Sequence, residues 1–271
     1  MGTALIYHLM VKPLSALESD QLKRIRLVSF DVDGVLVKKG TELFEMEDVE
    51  NEKVLIVKAK KITPELIDKL NTLKKHVRIN ISSGRSLLYL KDIFEPILWE
   101  NVTIQGENGL FTLMDGQVIQ HGQLSPNELA LLWHIKTSIY RLMGENSNIR
   151  GFEPKQFLLS VHCFKEEPAI IDLVADLDKE GILGIKWSSE AYNIFPKRYS
   201  KGTGLAELSK ILNIDKSQML VVGNDPNDQE ATEGPGISVT TSPQTLTADY
   251  FTESELELGG ESLVNRLLEV H

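Results

Sequence analysis

The chain has 271 residues, of which 42% are hydrophobic and 25% charged, and its formal net charge is −10. That balance describes an ordinary globular protein with room for one large domain or two modest ones. The negative charge argues against nucleic acid as a partner, because phosphate backbones attract basic surfaces, so an anionic substrate would need a local cationic cluster or a bound metal. The one cysteine, Cys163, excludes an intramolecular disulfide, fits a reducing cytoplasm, and reads as a small buried hydrophobe in its apolar setting. The apolar run Ala4-Leu5-Ile6-Tyr7-His8-Leu9-Met10 is too short for a signal segment, and no run is long enough to span a bilayer. The expectation is a cytoplasmic protein with no membrane partner. The sequon Asn101-Val102-Thr103 is read as chance, since no export signal accompanies it.

Residues 1–24 read as a leader, with 15–24 as a short surface helix. A first strand over 26–32 is followed by a polar, acidic stretch, 38–52, and the alternating run Val54-Leu55-Ile56-Val57, which together read as a hairpin or flap. Thr63-Pro64 opens a helix to about Lys75, with Thr63 as cap and Pro64 in the first turn. A strand over 77–82 runs into the turn Ser83-Gly84-Arg85, and Ser86 caps a helix to about Pro96. The strand 102–105 leads into Gly106-Glu107-Asn108-Gly109, and Asp115-Gly116 marks a hairpin between 110–114 and 117–120. From Ser125 the pattern changes: a helix over 126–142, a strand over 157–164, a helix over 167–179, and strands over 184–188 and 191–195. The run Leu129-Ala130-Leu131-Leu132-Trp133 reads as core. Helix, strand, helix, strand and helix then follow over 203–212, 219–223, 227–233, 236–239 and 261–270. Strand–helix alternation on both sides of an α+β insert predicts an α/β fold, a doubly wound parallel sheet with a cap.

Four short sites fall at or beside the C-terminal ends of these strands, the edge where open α/β sheets bind ligands. Asp31 and Asp33 end the first strand, and alternation points both to one side. Close carboxylates repel, so a divalent cation and phosphoryl chemistry are the economical explanation. The others are Ser82-Ser83-Gly84-Arg85, Ser200-Lys201-Gly202-Thr203-Gly204, and Gly223-Asn224-Asp225-Pro226-Asn227-Asp228. The Gly-x-Gly after Lys201 is not a dinucleotide fingerprint, lacking the third glycine and the preceding strand.

In this order, DVDG, SSGR, SKGTG and GNDPND resemble the haloacid dehalogenase (HAD) superfamily. The Gly106–Gly109 piece and the insert are similar to its subgroup with a large α+β cap, which includes Cof-like phosphatases, sucrose-, trehalose- and mannosylglycerate-phosphate phosphatases, and phosphomannomutase. The resemblance covers nearly everything from about Arg26 onward. It implies a HAD core over 25–109 and 196–271 and a substrate-specificity cap over 110–195. It implies a Mg2+-dependent phosphatase hydrolysing a small sugar phosphate or related phosphomonoester through an aspartyl-phosphate. Asp31 would be the nucleophile and Asp33 the general acid and base. Ser83 would hold a phosphoryl oxygen, with Ser82 as the alternative, and Lys201 would neutralise charge. Asp228 would orient a metal water or Lys201. Asp31, Asp33 through its carbonyl, and Asn224 would hold Mg2+. Gly84, Arg85, Asn108, Lys155 and His162 would contact substrate; Lys197 and Arg198 either contact it or are solvated cations. A phosphomutase, or a catalytically weak binding module, stays open beside this reading, as does monomer or homodimer. One departure stands out: the family usually has Asp where this chain has Asn224. Asn224 could be a neutral ligand, Asp225 could take over, or the site could be impaired.

Overall fold

In the computed structural model the chain begins with β1 (Lys12–Pro13), α1 (Ser19–Leu22), β2 (Leu27–Phe30), β3 (Glu42–Glu47), β4 (Lys53–Lys58) and α2 (Pro64–Leu73). It continues through β5 (Arg78–Ser82), α3 (Leu87–Phe94), β6 (Val102–Gly106), β7 (Phe111–Met114), β8 (Gln117–Gln120) and α4 (Pro126–Glu145). Next come β9 (Ile149–Glu153), β10 (Leu159–Cys163), α5 (Pro168–Leu177), β11 (Leu183–Trp187) and β12 (Ala191–Pro196). The last elements are α6 (Lys201–Leu212), β13 (Met219–Gly223), α7 (Gln229–Thr232), β14 (Ile237–Thr240), β15 (Tyr250–Phe251) and α8 (Gly259–Leu268). The structure describes residues 11–47, 53–58, 60–253 and 258–271. Among them no helix is long and apolar enough to cross a membrane. The run Ala4–Met10 lies outside the described residues.

Two units result. One holds the chain up to Lys39, Lys60–His121 and Ser200–His271; the other holds Gly40–Ala59 and Gly122–Tyr199. The first is built on a nine-stranded sheet in the order β1-β15-β14-β13-β2-β5-β6-β7-β8. Strands β1 to β6 of that order pair in parallel, and β7 and β8 continue it antiparallel. The central strands β2, β13 and β6 are buried at every position, as strands covered on both faces must be. From β2 the chain moves outward to β5 and β6, then returns to the other side of β2 to lay down β13 and β14. The strand order therefore reverses beside β2, and such a reversal opens a crevice at the strands' C-terminal ends. The hairpin β7–β8, expected at the start of the insert, instead extends this sheet by pairing β7 on β6. Its turn is Asp115 (φ 48°) and Gly116 (φ 79°), two positive-φ residues of the kind that match strand twist.

The second unit is a four-stranded antiparallel sheet in the order β11-β12-β10-β9 with helices α4 and α5. Leu132, Ile135, Ile139, Val161, Ile170 and Ile194 form its core. Strand β9 was not expected from the sequence, where Arg150 and Gly151 dilute its apolar signal. The β3–β4 hairpin belongs to this unit, and a Cβ on Gly151 would meet Leu55 of β4 at 2.9 Å. Arg150 pairs with Glu45 of β3 at 2.8 Å. The run 129–133 is only partly core: Leu132 is buried, but Leu129 and Trp133 are 44% and 69% exposed, because a helix turns only one face inward.

Candidate active site

At the end of β2 the ladder continues one step further, Asp31 N–H donating to the Val222 carbonyl at 2.9 Å. The chain then folds back on itself: the amides of Val35, Leu36 and Val37 all donate to the Val32 carbonyl. Gly34 makes this possible with φ at 81°, and its bare Cα leaves room for the Asn224 amide and the Lys39 stem, both of which a Cβ would strike. Buried Val35, Leu36 and Val37 anchor the turn.

Asp31 is buried, and its Oδ1 accepts from Lys201 Nζ at 2.5 Å. Lys201, the first residue of α6 and itself buried, also donates to Asp228 Oδ1 at 2.6 Å. Asp228 Oδ2 accepts from the backbone amides of Asn224 at 3.0 Å and Asp225 at 3.1 Å, which closes the loop after β13. Gly223 is required there, since a Cβ would sit 2.6 Å from the Asp228 side chain. Burial raises the Asp31 carboxyl to about 7; repulsion from Asp228 and, more weakly, Asp33 adds to this, and Lys201 opposes it. Burial disfavours the Lys201 charge, but attraction and hydrogen bonds from Asp228 and Asp31 outweigh it and raise its pKa, so the ammonium stays charged. Helix α6 is set by its cap, Ser200 accepting from Thr203 N–H, and by Gly204, whose Cα lies directly against that of Gly109.

Asp33 is held differently. Both its oxygens accept from Arg85, Oδ2 from Nε and Oδ1 from Nη2, each at 2.7 Å. The guanidinium also stacks on Tyr89 of α3 at 4.3 Å. The Ser83 hydroxyl oxygen accepts from the Arg85 amide at 3.2 Å and shapes the turn after β5. Ser82 Oγ is buried and has no hydrogen-bond partner among the described residues. Asn108 N–H donates to the Ser83 carbonyl at 3.0 Å, and its Oδ1 lies against Gly84. Asp31, Asp33, Ser83, Gly84, Arg85, Asn108, Lys201, Asn224 and Asp228 are thus gathered at one edge of one sheet.

Lys155 and His162 lie in the second unit, both almost fully buried around Glu153 of β9. The contacts are Lys155 Nζ–Glu153 Oε1 at 3.6 Å and His162 Nε2–Glu153 Oε2 at 3.3 Å, and His162 Nδ1 has no hydrogen-bond partner among the described residues. Lys197 donates to the Gly181 carbonyl at 2.7 Å, and Arg198 pairs with Glu128, so both cations are engaged inside that unit. Cys163 is buried there, and burial pushes its thiol up to about 12, which makes it inert. Three participants escaped sequence reasoning: Tyr89 under Arg85, Thr245, whose hydroxyl donates to the Asn224 carbonyl at 2.6 Å, and Lys39, on Asp225 Oδ2 at 3.1 Å. None belongs to a motif, so only the fold reveals them.

The oxygens around Asn224 suit a hard cation. Asn224 is 1% exposed, its Nδ2 donates to the Asp33 carbonyl at 2.8 Å, and its buried Oδ1 has no partner among the described residues. A rotation of the amide about its last bond would present that oxygen beside the Asp33 carbonyl, and Asp31 adds a carboxylate. One carboxylate with neutral oxygens is a set that Mg2+ accepts when waters and phosphate complete it.

Residues 136–243 match the model of a family described as haloacid dehalogenase-like hydrolase. Among relatives by sequence, a phosphoglycolate phosphatase of Methanopyrus kandleri is 23% identical over 203 residues, 72% of this chain and 84% of that one. A phosphoglycolate phosphatase of Sulfolobus acidocaldarius is 24% identical over 216 residues, 79% and 82% of the two chains. Among solved structures, the C-terminal domain of C. albicans trehalose-6-phosphate phosphatase shares the fold with a TM-score of 0.66 at 17% identity, covering 96% of this chain and 98% of that one. The order of the motifs, the sheet edge that collects them and these matches agree in one likeness: the chain is similar to the haloacid dehalogenase-like hydrolases.

Proposed function

We propose that this hydrolase is a Mg2+-dependent phosphatase that cleaves a small sugar phosphate or related phosphomonoester through an aspartyl-phosphate. The observation that carries the reading is the buried line Asp31–Lys201–Asp228 beside the clamped Asp33, at the point where strand order reverses. Asp31 attacks phosphorus, and the bond to the leaving oxygen breaks as Asp33, protonated once Arg85 turns from it to the bound phosphoryl group, delivers its proton to that oxygen. Asp33 then takes a proton from water, whose oxygen attacks the same phosphorus; the bond to Asp31 breaks and inorganic phosphate leaves. Lys201 holds Asp31 in place and offsets the charge that gathers there. The Ser83 hydroxyl, whose lone pair already serves the Arg85 amide, keeps its proton to donate to a phosphoryl oxygen. Arg85, Gly84 and Asn108 line the substrate side. When bound by Asp31, the Asp33 carbonyl and Asn224, Mg2+ would supply charge neutralisation at the phosphoryl group. Lys155 and His162, grouped around Glu153, are proposed as further substrate contacts. The phosphatases named among the relatives support a small phosphorylated substrate.

The test is phosphate release over a panel of phosphorylated mono- and disaccharides and small acids, with Mg2+ and with chelator. Release is expected with Mg2+ alone, abolished in Asp31→Asn and reduced roughly 10²–10⁴-fold in Asp33→Asn. An active Asp31→Asn variant, or an isomerised sugar phosphate in place of inorganic phosphate, overturns the proposal.

A further inference from the structure

The carboxylates near the Asn224 loop are mostly committed. Both oxygens of Asp33 accept from Arg85. Asp228 has Oδ1 on Lys201 and Oδ2 on two backbone amides. Asp225, the acid best placed by sequence to replace Asn224, has Oδ2 on Lys39, whose stem lies over Gly34 beside the Asn224 amide. Asp31 spends Oδ1 on Lys201. Among the described residues, no group of three or more His, Cys, Asp or Glu side chains is arranged to hold a metal ion. A cation here meets one anionic oxygen, on Asp31, and two neutral ones, on Asp33 and Asn224, with the Lys39 ammonium nearby. The Asn224 amide moreover already donates to the Asp33 carbonyl, so that contact must break before the carbonyl can serve a cation.

The geometry points to a metal site completed by the substrate: the protein alone holds Mg2+ weakly, and a phosphate group bound at Ser83 and Lys201 supplies the missing negative charge. Metal and phosphate then bind as a cooperative pair, each tightening the other by the same factor. This inference rests on the phosphatase reading above, and it makes Asn224 the residue that converts a resident metal into one recruited with substrate. In the absence of a phosphoryl group, the Asn224 amide stands in for the cation by holding the Asp33 carbonyl.

Calorimetric titration of Mg2+ into the full chain tests it, with and without saturating inorganic phosphate, and in the Asn224→Asp variant. Phosphate is expected to tighten Mg2+ binding to the native protein by about tenfold or more, a typical coupling. Asn224→Asp is expected to bind Mg2+ alone more tightly than the native chain and to show a smaller phosphate effect. Equal Mg2+ affinity with and without phosphate in the native chain overturns the coupling and leaves the phosphatase reading standing. The native titrations decide this even where the variant fails to fold. No Mg2+ binding to either protein under any condition overturns the metal reading itself.

Discussion

At the scale of single residues, the site is an exercise in burying charge. Lys201 bridges two buried carboxylates, Asp31 and Asp228, and all three are nearly solvent-free. Exposed ion pairs are worth under about 1 kcal/mol, but removing one partner of a buried set strands the others at roughly 3–5 kcal/mol. Lys201→Met is therefore expected to lower stability by that larger amount in urea unfolding, as well as to stop turnover. A loss below 1 kcal/mol would show that water reaches the carboxylates. Asp31, Asp33, Lys201 and Asp228 were legible in the sequence because each stands in a short motif tied to a strand end or helix start. The Arg85–Asp33 clamp was not, because it joins residues 52 apart and depends on β2 and β5 being neighbours.

At the scale of elements, a buried polar chain crosses the central sheet. Asn80 of β5 donates to Ser29 Oγ and Gln105 Oε1, Gln105 Nε2 donates to Thr112 Oγ1 and to the Gly204 carbonyl of α6, and Thr112 Oγ1 meets His121 Nε2 at 2.6 Å. The chain ties the helix carrying Lys201 to the strands carrying the acids. Burial lowers the His121 pKa below its usual 6.5, with Glu207 opposing, so the folded state favours neutral imidazole. The unfolded chain then binds the proton more readily, and His121's contribution is present above pH 6.5 and lost as pH falls below it. Unfolding midpoints measured from pH 8 to pH 5 are expected to drop less in His121→Gln than in the native chain. Helix starts such as Thr63-Pro64 and Ser86 were readable because caps are local. Strand β9 was not, since its alternation makes sense only once Leu55 of another segment covers Gly151.

At the scale of the molecule, two separate stretches of chain build the second unit. The β3–β4 hairpin contributes Leu55 over Gly151, Glu45 to Arg150, and Thr41 to Glu190. Replacing Gly40–Ala59 with a short Gly linker is expected to raise hydrogen exchange in β9 while β2 and β13 stay protected. Unchanged exchange in β9 would show that the hairpin adds nothing to that unit's stability. The outward and return paths from β2 likewise belong to this scale, for they decide which edge collects the motifs.

The sequence by itself determined the strand–helix alternation, the helix starts and the four motif sites, because periodicity, capping and turn chemistry act over a few residues. Only the tertiary structure decided that Arg85 clamps Asp33, that Lys39 occupies Asp225, that β7–β8 extends the central sheet, and that the early hairpin joins the second unit. Those outcomes depend on which distant surfaces bury each other, and burial between segments far apart in the chain leaves no local signature.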